Sequence, residues 1–146
     1  MKAFMPDVNV WVALTIHGHG HHARATDWLQ GVKRQSLLYF TRPTQTGLLR
    51  LLTTQQVLAG YQLNAFTNRA AWQLAMDWIA LDYVDFAAEP PRLEAPWAEL
   101  ASIAQASPKL WNDAYLAAFA MRSGFCLVTF DSGFKQFKGL DLLVLK

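Results

Sequence analysis

The sequence predicts an α/β fold in which a parallel sheet is covered by helices on both faces. Two observations predict it. Short apolar segments with strand character alternate with helical segments along the chain. The apolar segments also lack the strict alternation of half-exposed strands, which is typical of strands buried on both faces of a parallel sheet.

Five segments have the length and apolar content of strands. The strongest is a six-residue apolar run that contains the only cysteine, and the first is a short run close to the N-terminus. In chain order the predicted strands are residues 3–5, 37–40, 83–86, 125–130 and 142–145.

Helices are predicted between these strands from apolar spacing and from their start and stop residues. Pro43 suits the first turn of one helix, and Thr67 or Asn68 is a candidate cap for another. Gly124 is a typical stop for the last helix, in which we place Asp113 in the first turn. The predicted helical segments are residues 10–14, 23–32, 43–52, 67–81, 93–100 and 111–122.

Length and composition limit the classes to which the protein can belong. A chain of 146 residues is sufficient for one domain with a real core, so we expect a single domain over 1–146. The net charge of +2 argues against a generally basic nucleic-acid-binding protein, and any contact with a polyanion must come from local clusters. Cys126 has no partner for an internal disulfide, and no segment resembles a signal peptide or a membrane span. We therefore expect a cytoplasmic protein.

Three aspartates are predicted to meet at one edge of the sheet. Asp7 and Asp131 follow the first and the strongest strand candidates, and Asp113 lies near the start of a helix. In a parallel sheet, a helix that follows a strand begins at the carboxyl edge, which is where open α/β sheets bind their ligands. Each aspartate taken singly is also a common turn or helix-start residue, so the prediction depends on their convergence.

Converging carboxylates favour a bound cation. Each negative charge disfavours ionisation of the others, so such a cluster either shares protons or holds a metal ion. Oxygen ligands select hard ions such as Mg²⁺ or Mn²⁺, which suit hydrolysis of phosphodiester bonds.

Several motifs occur in a fixed order along nearly the whole chain. Asp7 and Asn9 lie in a hydrophobic-Asp-x-Asn-hydrophobic segment, and His21-His22 and Trp28-Leu29 follow it. Two further motif regions are residues 44–53 and residues 112–134. This order resembles PIN-domain ribonucleases, most closely the toxins of VapBC toxin–antitoxin pairs.

The resemblance implies a three-layer α/β/α sandwich with a central parallel sheet, usually dimeric. It also implies an RNA-cleaving enzyme that uses Mg²⁺ or Mn²⁺ and is inhibited by a small VapB-type antitoxin. Asp7, Asp113 and Asp131 match the acids of the family's metal site.

Two positions depart from the family pattern. Many members have Glu where this chain has Gly47, and no acidic residue lies between Asp27 and Asp77 to replace it. A further acid is frequent at the position of Gly133. With a charge missing near the ion, we expect weaker metal binding, which Gly47→Glu should restore if the helix tolerates a side chain there.

Polar residues near the three acids are candidates for supporting roles. Asn9 could orient a carboxylate or a metal-bound water, or cap the first helix. Gln45, Thr44 or Thr46 could hold such a water. Arg50 could bind a phosphate or pair with an acid.

Two clusters outside the acids leave alternatives open. Lys135 and Lys138, interleaved with Phe134 and Phe137, could bind RNA through phosphate contacts and base stacking, or the two Phe could pack under a loop. The histidines at 17–22 lack regular metal-ligand spacing, so we interpret them as a turn and a helix start.

Two other classes of protein compete with a metal-dependent nuclease. An aspartyl-nucleophile phosphatase would require Asp at position 9, where this chain has Asn9. A catalytically weak or inactive module that binds RNA or protein is the stronger rival, because of Gly47.

Overall fold

A computed structural model describes all 146 residues and contains one five-stranded sheet. The strands are β1 (Lys2–Pro6), β2 (Ser36–Phe40), β3 (Val84–Phe86), β4 (Cys126–Thr129) and β5 (Leu142–Val144). They lie in the order β3-β2-β1-β4-β5, and every neighbouring pair is parallel. The parallel sheet and its five strands are therefore confirmed, with no end shifted by more than about one residue.

Seven helices and one 3₁₀ turn connect the strands. They are α1 (Val8–Thr15), α2 (His22–Val32), α3 (Arg42–Leu52), α4 (Gln55–Ala59), α5 (Asn68–Ile79), α6 (Glu94–Ala101), α7 (Pro108–Ser123) and the 3₁₀ turn Ser132–Gln136. The short helix α4 was not predicted. Of the two candidate caps of α5, Thr67 is the one used, because its hydroxyl accepts the Ala70 N–H at 3.1 Å.

Alternate residues of the central strands enter different cores, and this produces the three layers. Phe4 and Val128 belong to a core formed with α1, α2, α3 and α5, whereas Met5 and Leu127 belong to a core formed with α6 and α7. Helices therefore cover both faces of the sheet, which confirms the α/β/α sandwich.

The start of α7 was predicted wrongly. We expected a helix from about residue 111 with Asp113 in its first turn, but α7 begins at Pro108 and places Asp113 in the second turn. Proline fixes a helical φ and lacks the N–H that a first-turn residue leaves unpaired, so Pro108 starts this helix. The helix ends as expected at Gly124, whose φ is +71°.

Helices α1 and α3 approach closely at Gly47. A Cβ atom built on Gly47 would lie 2.6 Å from Cγ2 of Val8, well inside van der Waals contact. The glycine is thus explained by helix packing, and the condition set for Gly47→Glu, that the helix tolerates a side chain there, is not met without a shift of Val8.

None of the helices combines the length and apolarity that a membrane-spanning helix requires.

Candidate active site

The ends of two adjacent strands place Asp7 and Asp131 at the carboxyl edge of the sheet. Asp7 follows β1 directly and is the N-cap of α1, and Asp131 is the N-cap of the 3₁₀ turn that follows β4. Because β1 and β4 are parallel neighbours, their carboxyl ends meet at the same edge.

The Asp7 carboxylate is largely buried and held by three donors. Its Oδ1 accepts the Val8 N–H at 2.7 Å, and its Oδ2 accepts the Thr129 hydroxyl at 3.0 Å and the Asn9 amide at 3.4 Å. Burial raises the pKa of Asp7, the Thr129 and Val8 hydrogen bonds oppose that rise, and the charges of Asp113 and Asp131 add to it. The ionised Asp7 therefore lacks a compensating positive charge.

Asn9 connects Asp7 to the end of β4. Its amide donates to Thr129 Oγ1 at 3.1 Å, and its Oδ1 accepts the Phe130 N–H at 3.2 Å. Thr129 Oγ1 also accepts the Asp131 N–H at 3.0 Å. Asp7 is the cap of α1, so of the two roles considered for Asn9 the contacts support orientation of the carboxylate. Thr129 was not predicted, although a polar residue closing an apolar strand was a signal for it.

Asp113 and Asp131 share Lys109, a contact that was not predicted from the sequence. Lys109 Nζ lies 2.7 Å from Asp131 Oδ2 and 3.7 Å from Asp113 Oδ2. The Lys109 ammonium and the Gly133 N–H hold the pKa of Asp131 below its usual value, whereas burial raises the pKa of Asp113 against the effect of Lys109. The four-residue spacing of Lys109 and Asp113 on α7 was the signal that could have found this contact.

Gly133 allows the Asp131 carboxylate to fold back on its own turn. The Gly133 N–H donates to Asp131 Oδ1 at 2.8 Å, and a Cβ on Gly133 would lie 2.9 Å from that oxygen. An acidic side chain at position 133 would therefore require the turn to rearrange.

The donor chemistry of this edge fits a hard divalent cation. All three acids supply oxygen ligands, and their mutual repulsion is offset by only one lysine. As arranged here, no three acidic, histidine or cysteine side chains lie close enough together to share one ion. Because Lys109 already lies between two of the acids, binding an ion there requires its ammonium to move away, and its side chain is 72% exposed.

The other predicted residues lie at varying distances from the acids. Gln45 is buried with its side-chain oxygen on Arg42, Thr46 is exposed, and neither hydrogen-bonds to an acid. Arg50 is exposed and forms no ion pair. Lys135 and Lys138 are exposed on and after the 3₁₀ turn.

Phe134 and Phe137 are buried in the core beside α7, at 1% and 6% exposure. The alternative in which these rings stack on a base is therefore wrong, and they pack under the loop.

The histidines form a turn and a helix start, as interpreted from the sequence. His22 opens α2 and its Nδ1 lies 2.7 Å from the Ala13 carbonyl oxygen, and His21 stacks on Phe130 at a ring separation of 4.3 Å. No three of them could hold one metal ion.

An acidic residue does lie in the same cavity as Gly47, although it is distant in the sequence. Glu89, in the loop after β3, lines a cavity of about 620 Å³ together with Gly47 and Val8. Its Oε1 accepts the Tyr115 hydroxyl at 2.7 Å, and it makes no hydrogen bond to the three acids. The residues near Gly47 in the sequence give no sign of Glu89, because only the fold brings the loop after β3 close to α3.

Comparison with known proteins agrees with this architecture. Residues 4–140 match the PIN domain family. The chain is 44% identical over 140 residues to ribonuclease VapC41 of Mycobacterium tuberculosis, and this match covers 95% of this chain and 96% of the relative.

Two solved structures share the fold, each with a TM-score of 0.68. VapBC2 from Rickettsia felis, bound to a promoter DNA fragment, is 14% identical and covers 99% of this chain and 100% of that chain. The sarcin-ricin loop cleaving toxin VapC20 of Mycobacterium tuberculosis is 18% identical and covers 98% of this chain and 99% of that chain. The chain belongs to the PIN-domain family and, within it, to the VapC ribonucleases.

Proposed function

We propose that this protein is a metal-dependent endoribonuclease and the toxin of a type II toxin–antitoxin pair. The observation that carries the proposal is the meeting of Asp7, Asp113 and Asp131 at one sheet edge in a chain closely similar to a named ribonuclease. Hydrolysis of a phosphodiester bond requires stabilisation of charge on the phosphate and activation of a water, and a divalent ion held by carboxylates supplies both.

The three aspartates would hold Mg²⁺ or Mn²⁺, and their neighbours would position them. Asn9 and Thr129 fix Oδ2 of Asp7, and the Val8 N–H fixes Oδ1, so the carboxylate cannot rotate freely. Gln45 and Thr46 are retained as candidates for holding an outer water, and Lys135 and Lys138 as candidates for contacting RNA.

The rival proposal of an inactive binding module is not favoured. It rested on the missing acid at Gly47, and the close approach of Val8 gives this glycine a packing role of its own. The similarity to a ribonuclease over 95% of the chain supports the enzyme.

The partners follow from the same family. VapBC2 is a complex of toxin and antitoxin, and we propose that this chain likewise pairs with a small VapB-type antitoxin. An RNA-directed toxin with this partner would act in the cytoplasm.

We also propose a homodimer. Leu63, Leu81 and Ile103 are large apolar side chains that the fold leaves exposed. Sedimentation at micromolar concentration should give twice the 16.5 kDa chain mass, and a strict monomer would contradict the proposal.

The proposal is tested with a fluorescent RNA, purified protein and Mg²⁺ or Mn²⁺. We expect cleavage that stops in EDTA and in Asp7→Ala and that persists in Asp27→Ala, which removes an exposed acid of α2 instead. RNA binding without cleavage in the wild-type protein at every metal concentration would favour the binding module.

A further inference from the structure

Two cavities adjoin along helix α3 and lead away from the carboxylates. The inner cavity, of about 620 Å³, is lined by residues that include Val8, Gly47 and Asn112. The outer cavity, of about 640 Å³, lies between α3 and α5. Both are lined by Thr46 and Arg50, so together they form one groove. Val8 follows Asp7 and Asn112 precedes Asp113 in the chain, so immediate sequence neighbours of two of the acids line the inner end of this groove.

The groove is positively charged. Arg42 lines the inner cavity, Arg69 lines the outer one, and Arg50 lines both. Lys2 and Lys109 are the only basic side chains that form ion pairs in the protein, so none of these guanidinium groups is paired with a carboxylate. The outer cavity has no acidic residue in its lining.

Contacts hold the inner guanidinium and the single acid in place. The Arg42 guanidinium lies 4.4 Å from the centre of the Phe86 ring and donates to Gln45 Oε1. Glu89 is the only acid of the inner cavity, and Tyr115 donates to it at 2.7 Å. Burial and the nearby carboxylate raise the pKa of Tyr115, so its hydroxyl stays protonated and remains a donor to Glu89.

A tryptophan lies at the outer end of the groove. Trp72 lines the outer cavity with 51% of its surface exposed, an unusual position for an indole in a folded protein. Arg69 lines the same cavity three residues earlier on α5. Guanidinium groups beside an exposed aromatic ring are the combination that binds phosphates and stacks bases of single-stranded nucleic acid.

We propose that this groove binds single-stranded RNA leading to the scissile phosphate, with Arg42, Arg50 and Arg69 on backbone phosphates and Trp72 stacked on a base. The inference rests on the proposed ribonuclease function. RNA is favoured over an acidic protein segment because the groove begins beside the carboxylates, where the phosphodiester of a substrate must lie.

The test measures binding without cleavage. A fluorescent single-stranded RNA of ten nucleotides is titrated in EDTA, and affinity is followed by anisotropy over a series of salt concentrations. For a single strand, each phosphate contact contributes about 0.7 to the slope of log affinity against log salt. Arg50→Gln and Arg69→Gln should each reduce that slope by about 0.7, with thermal unfolding unchanged because both side chains are exposed.

Two substitutions at Trp72 test whether RNA binding requires an aromatic ring at this position. Trp72→Leu should weaken binding by about 5- to 100-fold with the salt slope unchanged, and Trp72→Phe should retain most of the affinity. Two matched controls lie outside the groove. Trp111→Leu removes an indole of 55% exposure, and Arg34→Gln removes an exposed guanidinium before β2, at the opposite edge of the sheet. Neither should change affinity or slope.

Three results would overturn the inference. They are unchanged affinity and slope in Arg50→Gln and Arg69→Gln, equal losses in the controls, or a Trp72→Leu protein whose only defect is loss of the dimer or of antitoxin binding. RNA binding that follows the expected pattern in a protein that never cleaves RNA would leave the groove in place and refute the proposed activity. Normal cleavage with normal binding in all groove variants would leave the proposed ribonuclease activity in place and refute the role of the groove.

Discussion

Asp7 and Asp131 have similar sequence contexts and opposite electrostatic environments. Both follow a strand, and each is the N-cap of the element that follows. The pKa of Asp7 is raised, mainly by burial, whereas the pKa of Asp131 is lowered, mainly by the Lys109 ammonium. The two aspartates thus share a position at the sheet edge, but they differ in the free-energy cost of carrying a negative charge there.

The difference follows from what covers each carboxylate. Helix α1 and the end of β4 enclose Asp7 with neutral donors, which oppose the effect of burial only in part. Asp131 remains 32% exposed and has a cationic partner at 2.7 Å. A cation bound at this edge would relieve Asp7 and would compete with Lys109 for Asp131. The two sides of the site therefore respond differently to the same ion.

The largest expected effect is the loss of cleavage when either acid is neutralised. Asp7→Asn and Asp131→Asn should each reduce metal-dependent RNA cleavage by at least about 100-fold, because each would remove a proposed charged ligand and not merely a support for one. Cleavage of a labelled RNA is the measurement, with Asp27→Asn as the exposed control. Full activity in one variant would remove that aspartate from the site and end the comparison.

A substitution at Gly47 tests how rigid the packing is on the Asp7 side of the site. Gly47→Ala should lower the free energy of unfolding by about 1–3 kcal/mol, because its Cβ would lie 2.6 Å from Val8 Cγ2. Urea unfolding measures this loss. In a Val8→Ala background the same substitution should cost little, since the opposing methyl group is gone. Equal losses in both backgrounds would show that the contact with Val8 is not the reason for glycine.

The two aspartates should give opposite pH dependences of metal-free stability. A raised pKa means that folded Asp7 binds its proton at higher pH than the unfolded chain, so its contribution to stability falls as pH rises from the ordinary value of 3.8 to the raised value. A lowered pKa means that Asp131 stabilises the fold above 3.8 and that this contribution is lost as pH falls through the lowered value.

Urea unfolding in EDTA between about pH 3 and pH 7 separates the two cases. Relative to wild type, Asp7→Asn should gain stability as pH rises and Asp131→Asn should lose it. Parallel curves for the two variants would contradict the electrostatic difference between the sites.

The smallest expected effect concerns Lys109. Lys109→Met should increase the affinity for Mg²⁺ by up to about fivefold, because an exposed ion pair that competes with the metal is worth little. Calorimetric titration without RNA measures this change, and Lys135→Met is the matched control on the 3₁₀ turn. Weaker Mg²⁺ binding in Lys109→Met would mean that the lysine supports the ion-binding arrangement instead of opposing it.

Local patterns in the sequence were sufficient to predict elements that have a clear apolar pattern or a clear stop residue. Strands such as β4 are apolar up to the polar Thr129 because both faces are buried, and the last helix ends where Gly124 adopts a positive φ. The order of motifs around Asp7, Asp113 and Asp131 was sufficient for the family, which the match over residues 4–140 confirms. The predicted start of α7 was too late in the chain, because Pro108 occupies the first turn of this helix.

Sequence patterns were sufficient to predict the parallel α/β/α architecture and the sheet edge at which Asp7 and Asp131 lie. Periodicity and the alternation of strands and helices along the chain are encoded by neighbouring residues, so they can be recognised without coordinates. Three features became visible only in the folded chain: Asp7 is buried among neutral donors, Lys109 bridges Asp113 and Asp131, and the approach of Val8 requires glycine at position 47. Desolvation, ion pairing and close packing depend on distances between atoms of separate elements, and no local pattern specifies those distances.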